Sequence, residues 1–529
     1  MHLPAPAPVQ VLTSVKQRRR SPAWGAVALA AALLLQPSAL LHAQSQAANN
    51  AGPRVAGSLP GLGDGAELSV SDERRVGDGI AKQIYRDPDY LDDPVLGDYL
   101  MSIWRPLIDA AHANGNLAPE VYDRFAWALV IDRTKEVNAF ALPGGYMGVN
   151  LGLLAITETP GELASVLAHE TSHISQRHLA RLMAREGRDL PWLLAAMAVG
   201  VLAARNNADV ANAAIAGSQA LAIQNQLNFS RDMEREADRV GFGVLTEAGF
   251  PGQGFVSMFD KLQQSSRLND DGSFPYLRSH PLTTERMADM HLRVSEAGAA
   301  HGAGSAVPPL ALHVLMAARA RVLGETVPDR WRAWLKAGSG PKAKPGERYA
   351  AALSAYRLGQ YSEALALAQT LREQATPPTQ AAIDGLLVEI LLVSPNGAQD
   401  ARLPALRDAA LASSTRAGLM QGAWAALAMG RADLAASPLQ TWVVNHPRDA
   451  MAWQTLSRVQ TALGQRVRAL RSEAESFTAM LDPEGALTRY RAAQALPVAV
   501  RQADAIEMAI VDARQREAEA QIRELAREK

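Results

Sequence analysis

The chain contains no cysteine among its 529 residues. Disulfides, thiol nucleophiles, iron–sulfur clusters and lipid attachment through cysteine are therefore excluded, and a tightly held metal has to rely on histidine and carboxylate ligands. Net charge is nearly absent as well. The 53 Lys and Arg against 54 Asp and Glu leave −1, so no global field draws the chain to nucleic acid or to anionic lipid. Two conspicuous apolar runs, Trp24 to Leu35 and Leu190 to Ala204, both fall short of the ~20 residues that span a bilayer. What the chain does have is core material, with 48% hydrophobic and 20% charged residues. Its length calls for two or three domains rather than one.

The first apolar run follows Lys16, Arg18, Arg19 and Arg20 and leads through Gln36-Pro37 to His42-Ala43. That order of basic, apolar and small residues predicts a secretory signal over 1–43, cleaved after Ala43, with retention as an anchor the alternative. Removal takes four basic residues and no acidic one, leaving 49 against 54 and a mildly acidic mature chain. Export without thiols points to the periplasm. The second run, 190–204, is expected to form a helical hairpin over a cleft, buried or touching a membrane surface.

The mature chain divides into a flexible lead-in at 44–66, a mixed domain at 67–306, a connector with an internal helix at 307–344, an Ala- and Leu-rich region at 345–483 and a helical cap at 484–529. In the mixed domain the strand-like stretches are 125–131, 137–142 and 146–150, with a turn at Pro143-Gly144-Gly145. They predict a small sheet among helices. Farther on, Gly430 and Gly464 lie 34 residues apart, each followed five residues later by alanine, Ala435 and Ala469. Gly359-Gln-Tyr361 with Ala364, and the prolines Pro377, Pro447 and Pro483, carry the same period. The spacing resembles tetratricopeptide repeats, and it predicts at least three stacked helix pairs in an all-α solenoid.

The chemistry sits in His169-Glu170-Thr171-Ser172-His173. Thr159, Pro160 and Glu162 read as a helix start with a capping box, and Leu163, Val166, Leu167 and Ile174 as its apolar stripe. On that helix, positions i and i+4 project from one face, so both imidazoles can grip one zinc ion with Glu170 set toward its open side as a base. Two histidines leave a catalytic zinc one donor short. Glu234 and Asp238, four apart on a second predicted helix, can supply a ligand and an acceptor for a histidine ring N–H, while Glu236 is expected to point elsewhere. His280, before Pro281, is open to three readings: a turn residue, a fourth ligand that closes the site at rest, or a donor to an oxyanion. Arg286 is a weaker candidate for that last role.

Together with Asn138-Ala-Phe-Ala-Leu-Pro-Gly-Gly145 and Ser279-His280-Pro281, these motifs resemble the zinc metalloproteases of the CAAX prenyl endopeptidase family. The resemblance covers essentially the whole mature chain. It implies a mainly α, α+β zincin-type domain holding one zinc ion through His169, His173 and Glu234, with Glu170 as general base. Asp238, His280 and Arg286 fall to outer-shell or regulatory roles. The strand at Asn138, Ala139 and Phe140 is expected to bind an extended substrate as an added strand. A soluble, exported branch of that family carries C-terminal repeats, and it implies unfolded or misassembled polypeptides as substrates, outer-membrane barrel proteins and their assembly machinery as partners, and chaperone-like help beside degradation. The rival reading is a non-catalytic repeat scaffold or chaperone with a structural or silent metal site, which would have no use for Glu170.

Overall fold

The computed structural model describes residues 68–186, 231–268, 274–297 and 307–527. The expected signal, the lead-in and the 190–204 run lie outside them. Among the described residues, no helix is long and apolar enough to cross a membrane.

The chain begins with helices α1 (Val70–Ile84), α2 (Pro94–Ala113) and α3 (Pro119–Arg124). Three strands follow, β1 (Ala128–Asp132), β2 (Ala139–Leu142) and β3 (Tyr146–Asn150). They form one sheet in the order β1-β3-β2, with β1 parallel and β2 antiparallel to β3. The Pro143–Gly145 turn between β2 and β3 is a 3-10 turn. β2 is therefore an edge strand. Asn138 O accepts from Asn150 N at 3.0 Å, and antiparallel alternation then directs the backbone groups of Phe140 and Leu142 to β3 and those of Ala139 and Ala141 to the open edge.

Helices α4 (Leu151–Ile156), α5 (Pro160–Ser175), α6 (His178–Glu186), α7 (Arg231–Glu247), α8 (Gln253–Leu268), the single turn α9 (Tyr276–Ser279) and α10 (Thr284–Ala297) complete this domain. α5 carries the histidine pair. Thr159 caps it, accepting from Glu162 N at 3.1 Å, with Pro160 in the first turn. The expected capping box is shifted by one residue: Glu162 accepts from Glu158 N at 2.7 Å and is held by Lys261 Nζ at 2.8 Å. The predicted single stripe is also too modest, because every residue of α5 is buried. α2, α7, α8 and β2 surround it, and its hydroxyl side chains bond back into the helix. Thr171 Oγ1 donates to Leu167 O and Ser172 Oγ to Ala168 O, the i−4 bonds open to buried hydroxyls. α7 can come this close because Gly241 faces the α5 backbone, where an added Cβ would lie 3.2 Å from Ala168.

Two helices, α11 (Leu310–Leu323) and α12 (Pro328–Gly338), occupy the connector in place of the single one expected. Four antiparallel pairs follow: α13 (Pro345–Arg357) with α14 (Tyr361–Glu373), α15 (Pro377–Val393) with α16 (Leu403–Leu411), α17 (Arg416–Ala428) with α18 (Asp433–Asn445), and α19 (Ala450–Ala462) with α20 (Arg466–Ala479). Gly359, Gly430 and Gly464 turn three of these pairs at φ of 77°, 69° and 75°, the left-handed region that glycine enters without a Cβ clash. The pair that breaks the sequence period has Asn396 at φ 58° in its turn instead. α21 (Pro483–Gln494), α22 (Val498–Ala503) and the long α23 (Ala505–Arg527) end the array.

The helical array is not strung loosely behind the first domain. A single hydrophobic core runs from Val70 to Ala425, and two arginines fasten the seam. Arg319 on α11, 4% exposed, binds Asp93 at 2.6 Å and Glu389 on α15 at 2.9 Å. Arg416 on α17 holds Asp92 at 2.7 and 2.9 Å and Asp449 at 2.8 Å. Asp93 also caps α2. Because removing one member of a buried pair strands the other charge, Arg319→Ala is expected to lower stability by about 3–5 kcal/mol. Urea unfolding followed by circular dichroism measures this, and a loss under ~1 kcal/mol, the range of an exposed pair, would show that the seam does not depend on the arginine.

Candidate metal centre

Four donors converge between α5, α7 and the turn after α9. His169, His173, Glu234 and His280 are all buried, and their ligand atoms lie within 4.8 Å of one another. His169 Nε2 is 3.0 Å from His173 Nε2 and 3.3 Å from His280 Nδ1. Glu234 Oε1 lies 3.0 Å from His280 Nδ1 and 3.5 Å from His173 Nε2, while its Oε2 is 3.5 Å from His169 Nε2. Lone pairs facing one another at this spacing repel unless something positive lies between them. Ligands bonded to tetrahedral zinc at ~2.0–2.1 Å stand about 3.4 Å apart, so the donor set and its spacing fit that ion.

The outer contacts orient these donors. His169 Nδ1 faces Asp238 Oδ1 at 2.9 Å. Arg286 grips Asp238 through Nε at 2.6 Å and Nη2 at 2.8 Å, reaches Glu234 Oε2 at 2.8 Å and donates to Pro281 O at 2.8 Å. Its guanidinium is thereby committed to the outer contacts rather than to an oxyanion. Burial opposes ionisation throughout, and the neighbours decide which groups overcome it. Burial would lower the His169 pKa, yet the Asp238 and Glu234 carboxylates raise it to about 9. His173 is held well below the usual range by burial and by the His169 charge. Burial would raise Glu234, but His280 and His169 bring it well below the ordinary carboxylate value. In Glu170 burial wins and the pKa is raised.

Glu170 lies beside the four donors without joining them. Its Oε2 accepts from Ala141 N, on the open edge of β2, at 3.0 Å. Its Oε1 is buried without a hydrogen bond, 3.4 Å from His280 Nε2. The three residues expected to bind substrate separate here. Phe140 turns its ring beneath the sheet against Ile80, Ile84 and Val130, Asn138 is buried with its backbone carbonyl paired to β3, and only Ala139 presents backbone to the edge. Ala141 does so as well, and the sequence pattern does not single it out. Two further neighbours escape sequence reasoning. Tyr276 stacks at a tilt on His280 with ring centroids 4.7 Å apart, and His178 meets His173. Glu236, expected to point away, reaches His178 and Arg181. No local spacing signals His178: on an unbroken helix, five positions rotate a side chain about 140° away from His173.

A model of peptidase family M48 matches residues 102–294, a span that contains all four donors, Glu170, Asp238 and Arg286. The chain is 34% identical over 240 residues to a beta-barrel assembly-enhancing protease of Vibrio cholerae, covering 45% of this chain and 48% of that protein. It thus spans about half the length of that relative. To the beta-barrel assembly-enhancing protease of Escherichia coli strain K12 it is 29% identical over 436 residues, 80% of this chain and 84% of that one. To the mitochondrial metalloendopeptidase OMA1 of Arabidopsis thaliana it is 30% identical over 195 residues, 37% and 36% of the two chains. M48 is a finer label than the prenyl-endopeptidase resemblance read from the motifs. Residues 102–294 thus match peptidase family M48, and the buried cluster of His169, His173, Glu234 and His280 that they contain suits a metal ion.

Proposed function

We propose that this protein acts in the periplasm on unfolded or misassembled polypeptides, outer-membrane β-barrel proteins among them, and that the helical region at 345–483 holds such clients or their assembly machinery as a tetratricopeptide-type solenoid. The similarity to two beta-barrel assembly-enhancing proteases supports the client class. The observation that carries the hydrolytic reading is Glu170, a buried carboxylate anchored by one oxygen to the sheet edge with the other free of hydrogen bonds beside the donors. A silent or structural metal site has no need of it.

His169, His173 and Glu234 would hold zinc, which when bound supplies Lewis acidity and lowers the pKa of its water toward ~7. Glu170 Oε1 takes the proton from the attacking water and returns it to the leaving amine. A substrate strand added along β2 pairs with the backbone of Ala139 and with the carbonyl of Ala141, whose N–H holds Glu170, and this lays the scissile bond beside that carboxylate. Asp238 and Arg286 keep His169 and Glu234 in place. His280 closes the centre at rest as a fourth donor and swings away when substrate enters. Strand addition selects disordered clients, because a closed barrel has no edge to offer.

The test is proteolysis of one outer-membrane barrel protein presented unfolded in dilute urea and folded in detergent, by wild type and by His280→Ala. The unfolded form should be cut, the folded form spared, and the variant should cut faster. Equal cleavage of both forms would refute the strand-addition reading, and no cleavage of either by zinc-loaded wild type and variant would refute the client class.

A further inference from the structure

His173 uses its two ring nitrogens differently. Nε2 turns inward, 3.0 Å from His169 Nε2, and Nδ1 turns outward, 2.8 Å from Nδ1 of His178. His178 is fully buried, and its Nε2 lies 3.1 Å from Glu236 Oε2. Glu236 also accepts from Arg181 Nη1 at 3.0 Å. The chain reaches this geometry by breaking α5 at Arg177, whose φ is 51° and whose guanidinium binds Glu73 at 2.8 Å. That break swings residue 178 back toward His173.

Proton bookkeeping admits one arrangement. A ligating nitrogen carries no proton, so a neutral His173 that binds zinc through Nε2 is protonated at Nδ1 and donates there. His178 Nδ1 must then accept, which places its own proton on Nε2, aimed at the Glu236 carboxylate. Each hydrogen has one seat, and the row is polarised from metal to solvent. His169 is held differently: its Nδ1 meets a buried carboxylate directly, Asp238, clamped in turn by Arg286. One ligating imidazole thus leans on a fixed buried charge. The other leans on a second imidazole, with a carboxylate one ring farther out at the protein's rim.

We propose that His178 is a positioning residue of the metal centre, holding the tautomer and orientation of His173 by accepting its Nδ1–H and being aligned in turn by Glu236. The inference rests on His173 binding zinc through Nε2. Outer partners of this kind are worth ~10–100-fold in metal affinity.

The experiment measures zinc affinity of the full chain by competition with a chromogenic chelator, and the d–d spectrum of the cobalt(II)-substituted protein. His178→Asn keeps an oxygen acceptor at the Nδ1 position, His178→Gln moves its amide out to the Nε2 position, and His178→Phe keeps the ring without either nitrogen. We expect Phe and Gln to weaken zinc binding about 10–100-fold with displaced cobalt bands, and Asn to stay within about threefold of wild type with unchanged bands. A His178→Phe protein that binds zinc as tightly as wild type, or a His178→Asn protein as weak as Phe, overturns the proposal. Should the Phe variant fail to fold, the two amide variants decide it alone: Asn must exceed Gln in affinity by at least about threefold. Failure of the metal reading itself looks different, since wild type would then bind no zinc.

Discussion

Glu234→Ala is expected to leave the purified protein almost free of zinc under chelator buffering that keeps wild type at one ion per chain. Apparent zinc-binding free energies of ~10–16 kcal/mol are shared among three or four ligands, so losing one donor weakens binding by roughly 10²–10⁴-fold. The substitution also removes a carboxylate that faces Arg286 at 2.8 Å and His169 at 3.5 Å, so uncompensated positive charge replaces it where the ion should sit. Mass-spectrometric metal analysis reads the stoichiometry. A variant that retained a full equivalent would show that Glu234 is not a ligand, and the site would then have to be rebuilt around other donors.

Glu170→Gln separates the ion from the chemistry. The amide preserves the shape of the side chain and can still accept from Ala141 N through its carbonyl, so fold and zinc content should match wild type. What it removes is the base. Proton transfer by a positioned carboxylate contributes about 10²–10⁴-fold, and cleavage of unfolded casein or an unfolded barrel protein should fall by at least that factor. Metal analysis and cleavage on the same preparations make the comparison decisive. Zinc-loaded Glu170→Gln with activity within tenfold of wild type would assign proton transfer to another group.

Both substitutions address features that the amino-acid sequence marks locally. The i, i+4 histidine pair, the i, i+4 Glu234–Asp238 pair and the Thr159–Pro160 start are legible because helix geometry alone sets which residues share a face. The same holds for Gly359, Gly430 and Gly464, whose left-handed φ values are a property of single turns. His178 is hidden, since its approach to His173 depends on the break at Arg177. The substrate edge is half legible: alternation marks a strand, but only the order β1-β3-β2 makes Ala139 and Ala141 the residues whose backbone faces outward. Phe140, two-faced in sequence, belongs to the core beneath the sheet.

The connector teaches the same lesson on a larger scale. Along the chain, 307–344 reads as a spacer. Folded, α11 carries Arg319 into a buried cluster with Asp93 and Glu389, residues hundreds of positions and tens of positions away, respectively. Sequence by itself determined which residue types could bind zinc, which faces they shared within each helix and where the chain had to turn, because those follow from short-range geometry and the chemistry of side chains. Tertiary structure alone decided that the histidine helix is buried on every side, that His280 joins Glu234 at the paired imidazoles, that His178 stands behind one of them, and that the first helices of the array share a core with the first domain. These depend on long-range packing and charge pairing, for which neighbouring residues along a chain leave no mark.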